Sequence, residues 1–374
     1  MMIKQLAYSA IVGGCLAITA CGGGGSSSSS DSGSGNGAGT GGGSGGGSTS
    51  QRISRFSADY DNNGIADAVE TSRYDNNGRL IATLYTYTDD GTADIINLNE
   101  EGAREVSFDY TYNSQGQMTS WVKDIAFIDP ASVGPGRIVR QEFSAAYDSN
   151  GLVTEAIITG FSISGAQLTS QRFEPRYNGN VMSSFIGFIN NLQTYITTFT
   201  YDSSGLPILA QGDYPAIEIA PGVTTDAFST AYDFEWNTNR QNTRVVFSSP
   251  DPTNSGNGFT STVDSVFNSD AQLVSQQWLA SPITDPTIWS LNSDLRFSYD
   301  AQNQRLTQIS WDLNRDGSID ATINYEWEAS VCTPVYFWLP QSLVPNIFLG
   351  NVPDNAHPSL IPGTGFQLFD HCAD

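Results

Sequence analysis

Basic side chains are scarce in this chain. Lysine occurs only at Lys4 and Lys123 and histidine only at His357 and His371, and 16 Lys and Arg face 39 Asp and Glu for a net charge of −23. A surface of that sign repels phosphate backbones, which makes nucleic acid an unsuitable partner and divalent cations a suitable one. The same acidity also keeps an exported protein soluble. There is no GxSxG elbow, no HExxH, no Walker loop and no dinucleotide fingerprint, and imidazole chemistry would have to come from the C-terminal segment; the chain reads as a non-enzyme. Helical period is absent from every long segment, and the apolar run Leu6 to Leu16 is too short to stay in a bilayer as a helix.

The N-terminus carries an address. Lys4, the apolar run and Ile18-Thr19-Ala20-Cys21 form an export signal. It resembles the lipobox of bacterial lipoproteins, which implies cleavage after residue 20 and acylation of Cys21, leaving a mature chain one unit more acidic. Several acyl chains anchor stably, each buried CH₂ contributing about 0.8 kcal/mol. Residues 22–50 are nearly all Gly and Ser and have nothing to bury, so they read as a flexible tether of roughly 30 Å root-mean-square span. In lipoproteins of this kind an aspartate after the acylated cysteine often marks inner-membrane retention; Gly22 stands there instead, so the expectation is the outer membrane, with the body facing the periplasm or the medium.

Of four cysteines, two remain once the signal is removed and Cys21 is acylated. Cys332 and Cys372 are expected to form a disulfide in an oxidising compartment, closing a Pro-rich segment over 331–374. A metal site or redox pair is the weaker alternative, since there is no CxxC.

The region 51–330 repeats a short unit: an aromatic, Asp or Asn, two small polar residues, Gly, any residue, then Leu or Met. Tyr74 to Leu80 is the cleanest copy and Tyr112 to Met118 matches in full; Tyr147 to Val153 and Tyr201 to Pro207 match through the glycine, and Phe267 to Leu273 and Tyr299 to Leu306 are degenerate. The unit has the chemistry of a hairpin turn, with Asp or Asn bonding the backbone beyond it and Gly supplying positive φ. Between turns the sequence alternates: Val106, Phe108, Tyr110 and Tyr112 share one face, and Ser107, Asp109 and Thr111 the other. These units resemble the YD repeats of Rhs-type cell-surface proteins, which implies successive β-hairpins. The copies are few and irregularly spaced, so the shell function of that family does not carry over. The expected fold is all-β, an antiparallel meander whose aromatic face curls into a barrel-like or sandwiched sheet. A transmembrane barrel would also alternate, but the tether and the Cys-Ala-Asp terminus argue against one.

Asp59, Asp61, Asn63, Ile65 (through its carbonyl), Asp67 and Glu70 occupy positions one, three, five, seven, nine and twelve of a loop with Gly64 at position six. That spacing supplies the six or more oxygens Ca²⁺ takes. It resembles EF-hand loops, and especially the calcium loops of thrombospondin type 3 repeats and dockerins. A polar hairpin loop is the alternative. A second copy offers Asp312, Asn314, Asp316, Ser318 and Asp320, with Ile323 where the bidentate acid would stand, so weaker binding is expected there. Asp90 to Asp94 is a third echo, read as a turn.

Three functional classes follow. The first is a lipid-anchored, calcium-stabilised scaffold that binds an envelope protein or glycan without catalysis. The second is a glycan-binding or glycan-cleaving lipoprotein, using exposed tryptophans among Trp121, Trp278, Trp289 and Trp338 with the Glu326 and Glu328 pair. The third is a carrier of an apolar ligand.

Overall fold

In a computed structural model the described residues are 51–88 except Tyr60, 103–179, 181–216, 227–249, 258–282 except Ala271, 291–300 and 305–330, with short strand pieces at 218–220, 223–224, 335–338, 366–369 and 372–373. Cys21, the tether, Asp90 to Asp94, Trp289 and Cys332 lie outside them, so the lipidation and disulfide expectations concern residues the structure does not describe.

The strands are β1 (Gln51–Asp59), β2 (Ala68–Tyr74), β3 (Leu80–Tyr87), β4 (Ala103–Tyr112), β5 (Met118–Phe127), β6 (Arg140–Tyr147), β7 (Val153–Phe161), β8 (Gln167–Asn178), β9 (Val181–Ile189), β10 (Leu192–Tyr201) and β11 (Pro207–Tyr214). A small side hairpin, β12 (Glu218–Ala220) with β13 (Val223–Thr224), precedes β14 (Phe228–Trp236), β15 (Asn242–Ser249), β16 (Phe259–Phe267), β17 (Leu273–Pro282), β18 (Leu291–Tyr299), β19 (Leu306–Asp312) and β20 (Ala321–Ala329). Near the C-terminus β21 (Val335–Trp338) pairs with β22 (Phe366–Phe369), and β23 (Cys372–Ala373) lies on the first residues of β1. Each main strand pairs antiparallel with its chain neighbour, β11 pairs directly with β14, and β20 returns to pair with β1, closing an 18-strand barrel. Of the two expected forms the structure takes the barrel. Its seam runs from Gln51↔Ala329 to Asp59↔Thr322 with one bulge near Ile53.

Closure decides which face each residue takes. The outer face of a single closed barrel has no second layer to pack against, so the face free of solvent is the inside. Phe56, Val106, Trp121, Phe143, Phe173, Phe234, Trp278 and Tyr325 lie there, nearly free of solvent. Their rings meet edge-on or stacked, across neighbouring strands in Phe108 with Trp121 and Trp121 with Phe143, and over the intervening β2 in Phe56 with Tyr85. The outside carries cross-strand ion pairs: Arg140 with Asp124, Arg172 with Glu155, Arg244 with Asp264, and across the seam Arg52 with Glu328 at 2.6 Å. Each contributes only about 0 to 1 kcal/mol, but a charged band of this kind is unsuited to face hydrocarbon.

The turns recur in one geometry. Asp75, Asn113, Asp148, Asp202, Asn237 and Asn268 each accept, on Oδ1, the N–H groups two and four residues on. The fifth member of this set is hidden in sequence, because Trp236 replaces the tyrosine and Arg240, at φ 64°, replaces the glycine. The Leu152 N–H holds the Asp148 carboxyl below its ordinary range, and the Leu206 N–H does the same for Asp202.

The aromatic residue has a role beyond filling the interior. Tyr112 donates to Leu80 O at 2.5 Å, Tyr147 to Met118 O at 2.5 Å, Tyr201 to Met182 O at 2.6 Å, Trp236 Nε1 to Pro207 O at 2.7 Å and Tyr299 to Leu273 O at 2.9 Å. Each reaches back to the first or second residue of the strand that follows the preceding turn, stitching one rim of the barrel turn to turn. Burial pushes Tyr147 and Tyr201 up to about 12, so both hydroxyls stay protonated donors at any physiological pH. Tyr147→Phe keeps the ring and orphans the Met118 carbonyl. The expected cost is about 1 kcal/mol, read as a lower urea midpoint at unchanged slope; an unshifted midpoint would mean the rim bonds do not stabilise the fold.

Candidate metal centre

Both acidic loops lie at the rim opposite this ladder. The first joins β1 to β2 and the second joins β19 to β20, and β1 pairs with β20, so loops about 250 residues apart in sequence become neighbours. The Asn62 side-chain amide donates to Ile319 O at 2.9 Å, linking them directly.

The two loops share one hydrogen-bond frame. In the first, Asp59 Oδ2 accepts the Gly64 N–H at 2.7 Å, Asp61 Oδ1 accepts Asn63 N–H at 3.1 Å, and Asn63 Oδ1 accepts Ile65 N–H at 2.7 Å. In the second, Asp312 Oδ2 accepts Gly317 N–H at 3.0 Å, Asn314 Oδ1 accepts Asp316 N–H at 2.9 Å, and Asp316 Oδ1 accepts Ser318 N–H at 2.8 Å. Asp67 N–H bonds Ala58 O and Asp320 N–H bonds Trp311 O, both at 2.8 Å. The fourth and sixth positions have positive φ in each: Asn62 at 54° and Gly64 at 87°, Arg315 at 55° and Gly317 at 93°. Asn and Gly tolerate such angles most readily, and Arg315 is the one residue of the four outside that pair.

In the first loop this frame brings carboxylates to a common centre, whereas Asp312, Asp316 and Asp320 of the second do not gather as closely. One oxygen each of Asp59, Asp61 and Asp67 lies within 4.8 Å of the others. Asp59 is 7% exposed and Asp67 1% exposed. Like charges held that close and that dry favour a cation among them. In the second loop Asp312 is 2% exposed, and its Oδ1 is a buried oxygen with no hydrogen-bond partner among the described residues. Asp320 Oδ2 accepts the Leu313 N–H at 2.7 Å, and the Ser318 N–H holds the Asp316 carboxyl below its ordinary range. The side chain of Ile65 is open to solvent, and its expected contribution is a backbone carbonyl.

Glu70 is not part of this cluster. It was expected as the twelfth, bidentate ligand, a position that a helical exit swings back over the loop. Here the exit is a strand, which advances about 3.3 Å per residue and carries Glu70 about 10 Å beyond Asp67. It pairs with Phe56 and Tyr85 and points into the barrel, 1% exposed. Burial pushes its carboxyl up to about 7, against hydrogen bonds from Tyr85 and Ser72 that pull it down. The same strand parity places Ile323 opposite Ala58 on the inside, where an apolar residue belongs.

The other expectations find no shared site. Glu326 and Glu328 sit on the outer face, ion-paired with Arg55 and Arg52. Trp121 and Trp278 are buried in the interior lining, unavailable to stack on a sugar. Asn62, which ties the two loops together, was not singled out in the sequence, because its partner is in a segment far along the chain.

No protein-family profile matches the sequence, and no curated protein matches it. Among solved structures, a porin-like protein from Bacteroides uniformis ATCC 8492 is similar over 74% of this chain and 96% of its own, at 10% identity and a TM-score of 0.35. A porin-like protein from Bacteroides vulgatus ATCC 8482 is similar over 74% and 98%, at 7% identity and a TM-score of 0.33. A TcdB2-TccC3-TEV structure is similar over 69% of this chain and 16% of its own, at 13% identity and a TM-score of 0.18. Likeness this loose says nothing of function, and the barrel described above rests on its own strand pairings.

Proposed function

We propose that this chain is a lipid-anchored, calcium-stabilised β-barrel of the bacterial outer membrane that binds an envelope protein or glycan without catalysing a reaction. The observation that carries the reading is the pair of acidic loops with one hydrogen-bond frame, set side by side at one rim. Ca²⁺ suits this donor set of carboxylate, amide and carbonyl oxygens. Asp59, Asp61, Asn63 and Asp67, with the Ile65 carbonyl, would hold one ion, and Asp312, Asn314, Asp316, Ser318 and Asp320 the other. The ion supplies charge neutralisation and rigidity, since the loops join strands.

The interior lining is aromatic and largely free of solvent, which suits a scaffold. The polar outer face and the tether at 22–50 suit a body held beside a membrane and outside its hydrocarbon. The anchoring is tested by growth with radiolabelled palmitate. The mature chain should carry label and fractionate with the outer membrane, and Cys21→Ser should lose both; an unlabelled chain recovered in the soluble fraction would overturn the placement.

A further inference from the structure

We propose that the two acidic loops form a single divalent-cation lock on the seam where the chain closes its barrel. This rests on the calcium reading above and adds what the ions control.

The β1 to β20 contact differs from every other in the ring. Each remaining pair of adjacent barrel strands is consecutive in the main meander, so one connection along the chain holds the two together. β1 and β20 are its first and last strands, and their seam depends on ladder hydrogen bonds, the Arg52–Glu328 and Arg55–Glu326 ion pairs, and Ser54 Oγ donating to Glu326 O at 3.2 Å. Those side-chain contacts lie toward the Gln51 end. At the other end Asp59, the last residue of β1, stands opposite Thr322 near the start of β20, and the loops attached to these strands meet through Asn62 and Ile319.

Asp59, Asp61 and Asp67 of the first loop have oxygens within 4.8 Å of one another there, and Asp312, Asp316 and Asp320 belong to the adjoining loop. Arg315 lies within the second loop but turns to β18, 3.1 Å from Asp294 and 3.3 Å from Asn292. With the loops uncharged by cation, carboxylate repulsion works to spread β1 from β20; with both loops filled, the same carboxylates turn inward onto the ions and the rim closes. The buried Asp312 Oδ1, lacking a hydrogen-bond partner among the described residues while its sister oxygen accepts Gly317 N–H, points independently to a missing ligand in the second loop.

The test compares hydrogen exchange of the full chain without and with calcium chloride. Amides in Gln51–Asp59 and Ala321–Ala329 should exchange at least tenfold more slowly with calcium, while the β6–β7 hairpin changes little. Terbium added to the calcium-free sample reports occupancy separately, through luminescence sensitised by Trp311 beside Asp312. If terbium gives no signal, the calcium reading itself fails and the lock with it. If terbium binds and the seam amides exchange no more slowly than the β6–β7 hairpin, the lock alone is overturned. Asn62→Gly, which tolerates the positive φ but removes the bridging amide, should keep the luminescence and lose most of the seam protection; full protection in that variant would show two independent loops and overturn the single lock.

Discussion

Replacing both first-position aspartates, Asp59→Asn with Asp312→Asn, is expected to abolish the rise in melting temperature that calcium gives the native chain. Extracellular calcium modules bind at about 10⁻⁴ to 10⁻³ M. At about 10 mM calcium, two such sites favour the folded state by on the order of 3 to 5 kcal/mol, or roughly 5 to 10 °C for a body of this size. Asp59 and Asp312 are the right targets because each is buried and accepts the glycine N–H that shapes its loop. Asparagine retains an acceptor for that bond, so the loop frame persists while the charge is lost. Melting followed by circular dichroism at several calcium concentrations checks this; an equal rise in the double variant would place calcium elsewhere.

Glu70→Gln is expected to stabilise the protein above pH 7 and to flatten its stability between pH 4.5 and 7. The sign follows from linkage. The Glu70 carboxyl is raised from 4.5 to about 7 in the folded chain by burial. Between these values the folded state keeps a proton that the unfolded state has released, so stability falls as pH rises through that window and is constant on either side. A shift of this size amounts to about 3 kcal/mol. Glutamine keeps a hydrogen-bonding head beside Tyr85 and Ser72 and never ionises, so the difference between variant and native chain should grow from near zero at pH 4 to a stabilisation at pH 8. The carboxylates of Asp148 and Asp202 titrate below this window and do not obscure it. Urea midpoints at a series of pH values measure the difference; a variant less stable than the native chain at pH 8 would mean the charged carboxylate has a partner inside the barrel.

What the sequence made legible was local. The Asp or Asn and Gly of Tyr74 to Leu80 fix a turn by bonds within five residues, and the alternation through Val106, Phe108 and Tyr110 fixes which face is buried; both can be read without knowing the neighbours. The acidic loops were legible for the same reason, since the bonds from Asp59 to Gly64 and from Asp312 to Gly317 span five residues. Glu70 was misplaced because its assignment borrowed a helical exit, whereas Val69, Glu70 and Thr71 continue an extended strand whose direction is set by pairing with β1 and β3. The rim ladder escaped notice because Tyr147 and Met118 are partners 29 residues apart. Closure escaped too, leaving barrel and sandwich equally open, because nothing near Gln51 or Ala329 marks them as a pair.

Calcium uptake by the twin loops is measured most directly by calorimetric titration of the full chain. Two equivalents of calcium should bind per chain, falling to one in Asp312→Asn and to none when Asp59→Asn is added. Titration with no saturable heat at millimolar calcium, or with a stoichiometry that ignores both substitutions, would contradict it.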